Sequence, residues 1–358
     1  MRAVILHAHG GPEVLRHEEF PDPTPAPDEV LVRVRACGIN NLDTQIRRGI
    51  PGVAIDFPHI LGCDVTGEVD SIGEGAMAAR AARSGTASVG ALGPLAVGDR
   101  VIVAPGAGCG RCAACDAGDE SACLRYAMLG YQRQGGYAER VRVPAASVVQ
   151  VSDRWSPEEW ASAPLVFLTA WHMLVGRARL RAGETVLVHA AGSGVGIAAI
   201  QIAKRAGGRV IATAGSEAKL EKAKALGADA GVLYTGEGWH KEARRLAGGE
   251  GVDVVVEHTG AETWLGSLAS LARRGRLVTC GATSGPQVAI DIRHLFAKQL
   301  SLLGSYVGSR RELLDVLALL ERGDVRPVVD TVFPLAEARA AHEKVASRAL
   351  FGKIVLRV

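Results

Sequence analysis

The feature that most constrains the fold is a strand, turn and helix in the second half of the chain, "ETVLVHAAGSGVGIAAIQIAKRAG". Its apolar start predicts a buried strand and its end an amphipathic helix. Glycines between them permit a tight turn and close backbone approach. A helix starting there directs free N–H groups and its positive dipole end at a phosphate. The segment therefore predicts a dinucleotide-binding turn, made by Gly192, Ser193, Gly194, Val195 and Gly196.

The same alternation of strand and helix continues after this turn. "RVIATA", "VDVVVEHTG", "GRLVTCG" and "QLSLLGSY" are apolar runs, and helical stretches such as "EAKLEKAKALG" separate them. Apolar strands bounded by helices indicate a parallel sheet covered on both faces, so the fold class is α/β. Thr259, Gly260, Gly281 and Ala282 follow two of these strands, and cofactors bind at such carboxyl ends.

The end of the second strand bears on the type of dinucleotide. Sites that prefer NAD place an acidic residue there, roughly 20 residues past the glycines. Here Ala214 and Ser216 leave room and a hydroxyl, and Lys219 follows one helical turn later. This pattern favours NADP(H) over NAD(H), although Glu217 would favour NAD if its side chain turned inward.

The first 155 residues have a different pattern, of short strands and turns. "EVLVRVRACGI" alternates apolar and charged residues, and "GDRVIVAP" and "YAERVRVP" read as further strands. These predict an antiparallel sheet or barrel. The Ala- and Gly-rich stretch 73–98 is interpreted as a surface loop carrying an insertion without a role, with room for one helical turn. The end, "FGKIVLRV", is a strand that could return to this first domain.

Length and charge exclude several classes of protein. A chain of 358 residues is too long for one ordinary core, so two domains are expected. The net charge of +3, without a basic run, argues against nucleic-acid or membrane-surface partners. No stretch predicts a signal peptide or a membrane span. A cytoplasmic location is the default expectation, and clustered cysteines there bind metal more often than they form disulfides.

Four cysteines stand in one short stretch, "CGRCAACDAGDESAC", with the spacing C-x2-C-x2-C-x7-C. Four thiolates satisfy a tetrahedral Zn²⁺ completely and leave no position open for water or substrate. Cys109, Cys112, Cys115 and Cys123 therefore predict one structural zinc per chain. Four reduced cysteines without metal, or an iron–sulfur cluster, are the alternatives.

Several stretches together resemble the medium-chain dehydrogenase/reductase superfamily, which contains zinc alcohol dehydrogenases and zinc-free quinone oxidoreductases. They are "ACGINNLDTQIRRG", "PHILGCDVTGEVDSIG", "VGDRV", the four-cysteine loop, "GGYAERVRVP", "FLTAWHML", "AAGSGVG" and "FGKIVL". The resemblance implies a GroES-like, mainly-β catalytic domain (1–160) with a zinc lobe (109–123). A Rossmann doubly wound parallel-sheet domain (161–307) and a return to the catalytic domain (308–358) follow. It also implies a homodimer or homotetramer, often paired through the strand around Ser301–Tyr306.

The chain departs from the zinc alcohol dehydrogenases at their catalytic ligands. Asn40 stands at the position of a ligand cysteine, the next ligand segment reads Gly62-Cys63-Asp64, and Leu165 stands at another ligand position. Leu cannot bind zinc, and Asn is a poor substitute for a thiolate. An unusual second zinc built from Cys37, Cys63 and Asp64 is the minority hypothesis.

Without a catalytic zinc the site resembles the quinone oxidoreductases, whose G-V-N-x-x-D pattern matches Gly38, Ile39, Asn40 and Asp43. Asn40 would donate a hydrogen bond to the acceptor oxygen, and Asp43 would orient Asn40 or join a proton relay. Both could instead be structural, Asn40 in a turn and Asp43 at a helix cap. The resemblance also places Thr169 and Lys353 at the cofactor, with a surface role as the alternative for Lys353.

The leading hypothesis is an enzyme that transfers hydride from NADPH to a quinone, an enone or another activated carbonyl. One alternative is an NAD(P)-dependent alcohol dehydrogenase with an atypical catalytic site. The other is a non-enzymatic, NADPH-binding protein of the crystallin kind.

Overall fold

A computed structural model describes residues 1–82 and 93–358. The chain divides into two compact units, which we call unit 1 (Met1–Leu165 with Ser309–Val358) and unit 2 (Val166–Gly308). The first division therefore falls after Leu165 rather than after 160, and the second after Gly308 rather than after 307.

Within the described ranges, the strands are β1 Arg2–Leu6, β2 Arg16–Glu19, β3 Glu29–Gly38, β4 His59–Ile60, β5 Asp64–Ile72, β6 Arg100–Val103, β7 Gly106–Ala107, β8 Ala127–Met128, β9 Arg140–Pro144, β10 Val148–Gln150, β11 Thr185–Val188, β12 Arg209–Ala214, β13 Ala230–Leu233, β14 Val252–Glu257, β15 Leu271–Thr279, β16 Ser301–Gly304, β17 Val329–Pro334 and β18 Lys353–Arg357. The helices there are α1 Asn41–Arg48, α2 Ala76–Ala82, α3 Ala113–Asp116, α4 Pro157–Trp160, α5 Pro164–Trp171, α6 Gly194–Arg205, α7 Glu217–Ala225, α8 Trp239–Leu246, α9 Ala261–Ser270, α10 Ile292–Lys298, α11 Arg310–Arg322 and α12 Ala338–Ala346. A π-helical stretch, His172–Arg177, extends α5. Over the residues described, every helix is too short or too polar to cross a bilayer.

Unit 1 is built around a sheet with the strand order β10-β6-β5-β3-β18-β17, and β9 also pairs with β3. The pairs β3–β5, β3–β9 and β5–β6 are antiparallel, as the sequence predicts. Strand β3 alternates buried apolar with exposed charged residues. Arg33 and Arg35 bind Asp70 and Glu68 across the β3–β5 pair, at 2.5 and 2.8 Å. Such cross-strand pairs help to fix the register of the sheet.

The last strand of the chain returns to unit 1, as predicted. Strand β18 pairs antiparallel with β3 and parallel with β17. Its register sets Val355 opposite Gly38. Because α1 begins three residues after Gly38, this pairing brings Lys353, at the start of β18, beside the first turn of α1.

The stretch 73–98 differs in part from the surface loop that the sequence predicts. It contains α2, and Arg80 on this helix is buried. The guanidinium of Arg80 donates to the carbonyls of Ala145 and Val148, at 2.8 and 2.5 Å. These bonds anchor α2 to the body of unit 1, whereas residues 83–92 lie outside the described part of the chain.

Unit 2 contains a six-stranded parallel sheet with the order β13-β12-β11-β14-β15-β16. Its central strands are apolar along most of their length, because helices cover both faces of such a sheet. Leu187, Ile211, Val255 and Leu277 on four neighbouring strands are fully buried. The strand order reverses between β11 and β14, which makes this the doubly wound fold that the sequence predicts. Ligands of such sheets bind at the carboxyl ends of the strands beside the reversal.

Candidate functional site

The glycine turn lies between β11 and α6, at the reversal of strand order. The helix begins at Gly194, one residue before the predicted start at Val195. Ser193 caps it, since its Oγ accepts the N–H of Gly196 at 3.0 Å. A Cβ on Gly196 would lie 2.4 Å from the carbonyl oxygen of Ala190, so only glycine fits there. The turn therefore presents a capped helix N-terminus, and contact of its five residues with a dinucleotide stays a prediction.

The second candidate cofactor segment lies at the end of β12. Ala214 is its last residue, and Ser216 caps α7 by accepting the N–H of Lys219 at 3.4 Å. The structure thus joins Ser216 and Lys219 in one helical turn. Glu217 is exposed in that first turn.

A residue that the sequence did not single out stands beside this segment. A Cβ on Gly215 would lie 3.2 Å from the hydroxyl oxygen of Tyr234, which follows β13. Tyr234 is 38% exposed, so its hydroxyl is accessible on the same edge of the sheet. No sequence motif marks this tyrosine, and its place depends on the register of β12 with β13.

The loops after β14 and β15 lie at the carboxyl ends of these strands, as predicted, and are in direct contact with each other. The carbonyl of Thr259 accepts the N–H of Ser284 at 2.7 Å. Gly260 has a φ of +98°, and a Cβ on it would lie 2.9 Å from Cα of Ala282. Together with Gly281, which directly precedes Ala282, these residues form one surface at the carboxyl end of the sheet.

Lys353 lies in unit 1, where its ammonium group is almost fully enclosed by protein. Its Nζ donates to Oδ1 of Asn40 at 2.5 Å, to the carbonyl of Ile39 at 2.7 Å and to Oδ2 of Asp64 at 3.2 Å. The Lys353 side chain is only 6% exposed and that of Asp64 is fully buried. A surface role for Lys353 is therefore wrong. Its predicted contact with the cofactor is untested, and Thr169, predicted with it, is buried in α5 of unit 2.

The same contacts fix the orientation of the Asn40 amide. The ammonium group of Lys353 can only donate, so the Asn40 atom facing it must be the acceptor Oδ1. At the other end of the amide, Asn40 Nδ2 donates to Asp64 Oδ2 at 2.9 Å. The second Nδ2 proton faces Cys63 Sγ at 3.5 Å, and sulfur is a weak acceptor. We call Lys353, Asp64 and Asn40 the lysine network.

The lysine network connects the positions at which the resemblance expects zinc ligands. Asn40 and Asp64 are bonded to each other, and Asp64 Oδ1 accepts the N–H of Leu165 at 2.7 Å. The ammonium group of Lys353 contacts two of these positions, Asn40 and Asp64.

A second zinc at Cys37, Cys63 and Asp64 gains no support from the geometry. In the described ranges, only the four-cysteine cluster gathers three or more metal-binding side chains close enough for one ion. Burial raises the pKa of the Cys37 and Cys63 thiols well above the usual range.

Asp43 occupies the third position of α1 and is 1% exposed. Its Oδ2 accepts the backbone N–H of Asn40 at 2.7 Å and its Oδ1 accepts that of Gly62 at 3.1 Å. Burial raises the pKa of Asp43 to about 6, although these N–H bonds and Lys353 act in the opposite direction. The contacts support the helix-cap interpretation, in which Asp43 fixes the backbone of Asn40 rather than its side chain.

A proton relay through Asp43 finds less support. Burial and the nearby Asp43 carboxylate raise the pKa of Tyr137 well above its usual range, and the Tyr137 hydroxyl oxygen lies 3.2 Å from Nε2 of His342. His342 is fully buried, and this burial lowers its pKa to about 3. This chain of contacts therefore leads from Asp43 into the interior of unit 1.

The four cysteines converge in the lobe between β7 and β8. Cys112 Sγ lies 3.6 Å from Cys115 Sγ and 3.7 Å from Cys123 Sγ. A tetrahedral zinc with bonds of about 2.3 Å requires neighbouring sulfurs about 3.8 Å apart. Arg125 Nη2 donates to Cys109 Sγ at 3.1 Å and the Arg125 N–H to Cys123 Sγ at 3.3 Å, which favours thiolates. The donor set fits a closed structural zinc, held by these four cysteines.

A doubly wound sheet with a glycine turn, joined to a mainly-β unit with a four-cysteine lobe, defines a two-domain, nicotinamide-dependent dehydrogenase or reductase. Residues 26–153 match the alcohol dehydrogenase GroES-like domain, and residues 194–322 match the zinc-binding dehydrogenase family. The chain belongs to the medium-chain dehydrogenase/reductase superfamily.

Relatives of three kinds match nearly the whole chain. A quinone oxidoreductase of Pseudomonas aeruginosa is 32% identical over 99% of both chains. An acryloyl-coenzyme A reductase of Metallosphaera sedula is 33% identical over 99% of both chains. A crystal structure described as an NAD-dependent alcohol dehydrogenase has 46% identity and a TM-score of 0.92, with full coverage of both chains. The protein is therefore an NAD(P)-dependent oxidoreductase of small molecules, and the family supports both a nicotinamide cofactor and zinc.

Proposed function

We propose that the protein reduces quinones, enones or other activated carbonyls with NADPH, without a catalytic zinc. The observation that carries this proposal is the lysine network, in which an ammonium group lies among the positions of the expected zinc ligands. The names of two relatives, a quinone oxidoreductase and an acryloyl-coenzyme A reductase, favour acceptors of this class.

The bound cofactor supplies the hydride, so the protein has to orient the acceptor and stabilise the charge that develops on its oxygen. Asn40 is the proposed donor to this oxygen. Lys353 and Asp64 hold its amide in one orientation, and the Nδ2 proton facing Cys63 has only a weak sulfur acceptor to give up. Asp43 is the proposed support, because it fixes the Asn40 backbone.

The second candidate function is the oxidation of an alcohol with NAD(P)⁺. The 46% identical alcohol dehydrogenase structure favours it. An enzyme of this kind without zinc needs another group to lower the pKa of the alcohol.

Turnover with matched substrates separates the two functions. NADPH oxidation is measured with a benzoquinone, a cyclic enone and an aldehyde, and NADP⁺ reduction with the corresponding alcohols. The proposal requires faster turnover of the quinone or enone than of any alcohol. Asn40→Ala should lower kcat about 100-fold with little change in cofactor affinity, as the loss of one oxyanion donor does. Faster alcohol oxidation, or an unchanged kcat in the variant, contradicts the proposal.

The proposed preference for NADPH rests on Ala214, Ser216 and Lys219. No carboxylate at Ala214 repels a 2′-phosphate, and Ser216 and Lys219 share one turn at the start of α7. Fluorescence titration of NADPH and NADH should give tighter binding of NADPH. Lys219→Ala should reduce the preference, and Lys222→Ala, on the same helix, is the matched control. Tighter binding of NADH by the wild type contradicts this assignment.

A homodimer or homotetramer is the proposed assembly. In the described part of the sheet of unit 2, β16 is hydrogen-bonded on one side only, to β15. Exposed apolar side chains lie nearby, Ile292 and Phe296 on α10 and Leu302 on β16. An exposed strand edge with apolar neighbours is a surface for pairing with a second copy.

A further inference from the structure

A buried chain of hydrogen bonds connects the strand ends behind the proposed cofactor loops of unit 2. His189 follows β11, Thr213 lies near the end of β12, Glu257 ends β14, and Ser267 lies on α9. All four are fully buried. None of them belongs to a sequence motif or takes part in the proposed reaction.

The distances form one continuous path. Thr213 Oγ1 lies 3.0 Å from His189 Nδ1, and His189 Nε2 lies 2.8 Å from Ser267 Oγ. Ser267 Oγ donates to Glu257 Oε2 at 2.7 Å. We call these four residues the buried relay chain.

The protonation states of His189 and Glu257 determine which group donates and which accepts in each hydrogen bond of this chain. Burial lowers the pKa of His189 to about 4, so its ring is neutral at pH 7. Burial opposes ionisation of Glu257, yet its pKa lies below the usual range, because hydrogen bonds from Ser267, Gly260 and Thr259 favour the carboxylate form. The carboxylate can only accept, so Ser267 donates to it and accepts from His189 Nε2–H. Nδ1 of His189 is then the acceptor for the hydroxyl of Thr213.

Two members of the chain, His189 and Glu257, adjoin loops that are proposed to bind the cofactor. Oε1 of Glu257 accepts the N–H groups of Thr259 and Gly260, at 2.7 and 3.1 Å. The carbonyl of His189 accepts from His258 Nε2 at 3.0 Å. Directly after His189, Ala190 has a left-handed φ of +46° and starts the glycine turn. Such a conformation costs about 1–3 kcal/mol in a residue other than glycine, so its surroundings must hold it.

We propose that Glu257, Ser267 and His189 are positioning residues for the cofactor, because their hydrogen bonds fix the glycine turn and the Thr259–Gly260 loop relative to each other. This inference rests on the proposed place of the cofactor at these two loops. None of the three side chains touches the cofactor; they act through the backbone that does.

The test compares two buried serines on α9. Ser267 belongs to the chain, whereas the hydroxyl of Ser270, also fully buried, donates only to the carbonyl of Gly266 at 2.8 Å. Ser267→Ala removes two buried hydrogen bonds and Ser270→Ala removes one, so both should lower the melting temperature and Ser267→Ala should lower it more. Only Ser267→Ala should weaken binding of the dinucleotide. If the two loops of this variant adopt the binding arrangement about a fifth of the time, its dissociation constant should rise about fivefold.

Two further variants keep the test decisive if Ser267→Ala folds poorly. Glu257→Gln retains an acceptor for the two loop N–H groups but presents a donor to Ser267. Every hydrogen bond of the buried relay chain would then have to run in the opposite direction. Thr213→Val keeps the side-chain volume and removes only the hydroxyl at the far end. Both should raise the KM for the cofactor while kcat at saturating cofactor stays within about twofold.

The outcomes separate this inference from the proposed function. If the wild type binds NADPH or NADH and the chain variants bind it as tightly as Ser270→Ala does, the positioning role is wrong and the proposed function is unaffected. If the wild type binds neither dinucleotide, the proposed function fails. A loss of kcat at saturating cofactor, without a change in KM, also overturns the positioning role.

Discussion

Lys353 is the residue on which the proposed chemistry depends most. Its ammonium group is the cation nearest to both Asn40 and Asp64, and all three side chains are buried. A buried carboxylate that loses its cation keeps the full cost of its desolvation. The stability of unit 1 and the orientation of Asn40 therefore depend on the same lysine.

Lys353→Met removes the charge at nearly constant side-chain length. We expect a loss of about 3 kcal/mol or more in the free energy of unfolding, because Asp64 is left buried without a cation. Turnover should fall as well, since Asn40 loses the contact that fixes Oδ1. Lys224→Met is the control, because it breaks only an exposed ion pair with Glu221, which solvent screens. Equal destabilisation in the two variants would show that the lysine network contributes no more than a surface pair.

Asp43 gives a prediction about pH. Its pKa of about 6 in the folded protein exceeds its ordinary value of 3.8, so the folded state binds the proton more tightly. The resulting stabilisation is complete below about pH 4 and is lost as the pH rises through 6, a change of about 3 kcal/mol. Asp43→Asn has no carboxyl group at this position and so lacks this pH-dependent contribution to stability. Urea midpoints from pH 4 to 7 should therefore show the wild type losing stability relative to the variant as pH rises.

A difference between wild type and Asp43→Asn that stays constant with pH would show that Asp43 does not titrate in this range. Loss of zinc in acid affects both proteins, so it cancels in the comparison.

Which residues the sequence could predict depends on how their contacts arise. The spacing of Cys109, Cys112 and Cys115 is local, so the cluster was foreseeable. The hydrogen-bond partners of Asn40 were not, because Asp64 and Lys353 come from distant strands whose pairing with β3 sets their place. The same holds for His189 and Ser267, which are separated by 78 residues.

The elements of the zinc lobe are too short to fold without the metal site. Strands β7 and β8 have two residues each and α3 has four, so none of them is stable alone. The closed set of four thiolates is then what holds these elements together, since binding free energy becomes folding free energy in such lobes.

Removing this zinc should loosen the lobe and spare the reaction. Under gentle chelation, or in Cys112→Ser, we expect faster proteolysis within residues 109–123, with kcat and cofactor affinity within about twofold of the untreated enzyme. Added zinc should restore resistance after chelation but not in the variant. If turnover is lost while folding and cofactor binding stay intact, this zinc takes part in catalysis and the prediction is wrong.

The strands were the elements best predicted from sequence. "RVIATA" corresponds to β12 residue for residue, because a strand covered on both faces is a continuous apolar run. Strand β13 and its neighbour Tyr234 were missed, since "AGVL" is too short and weakly apolar to stand out. The sequence predicts a surface loop with room for one helical turn over 73–98, and α2 is longer, because an alanine-rich sequence does not reveal that Arg80 is buried against Ala145 and Val148.

At the scale of the whole molecule, the free edge of β16 predicts self-association. Leu302→Lys should weaken the assembly, because it places a charge on an apolar strand edge. Leu265→Lys, at an exposed leucine on α9, is the control. Sedimentation velocity should show a dimer or larger assembly for the wild type and the control, and smaller species for Leu302→Lys. A monomeric wild type would contradict the predicted assembly.

The central claim is that this family member reduces its acceptor with a lysine network at the positions where zinc enzymes bind their catalytic metal. Zinc content per active chain, measured on enzyme that turns over NADPH with a quinone or enone, tests it most directly. We predict one zinc per chain, held by Cys109, Cys112, Cys115 and Cys123, and no gain in turnover when excess zinc is added. Two zinc ions per chain, with activity that follows the second, would contradict the claim.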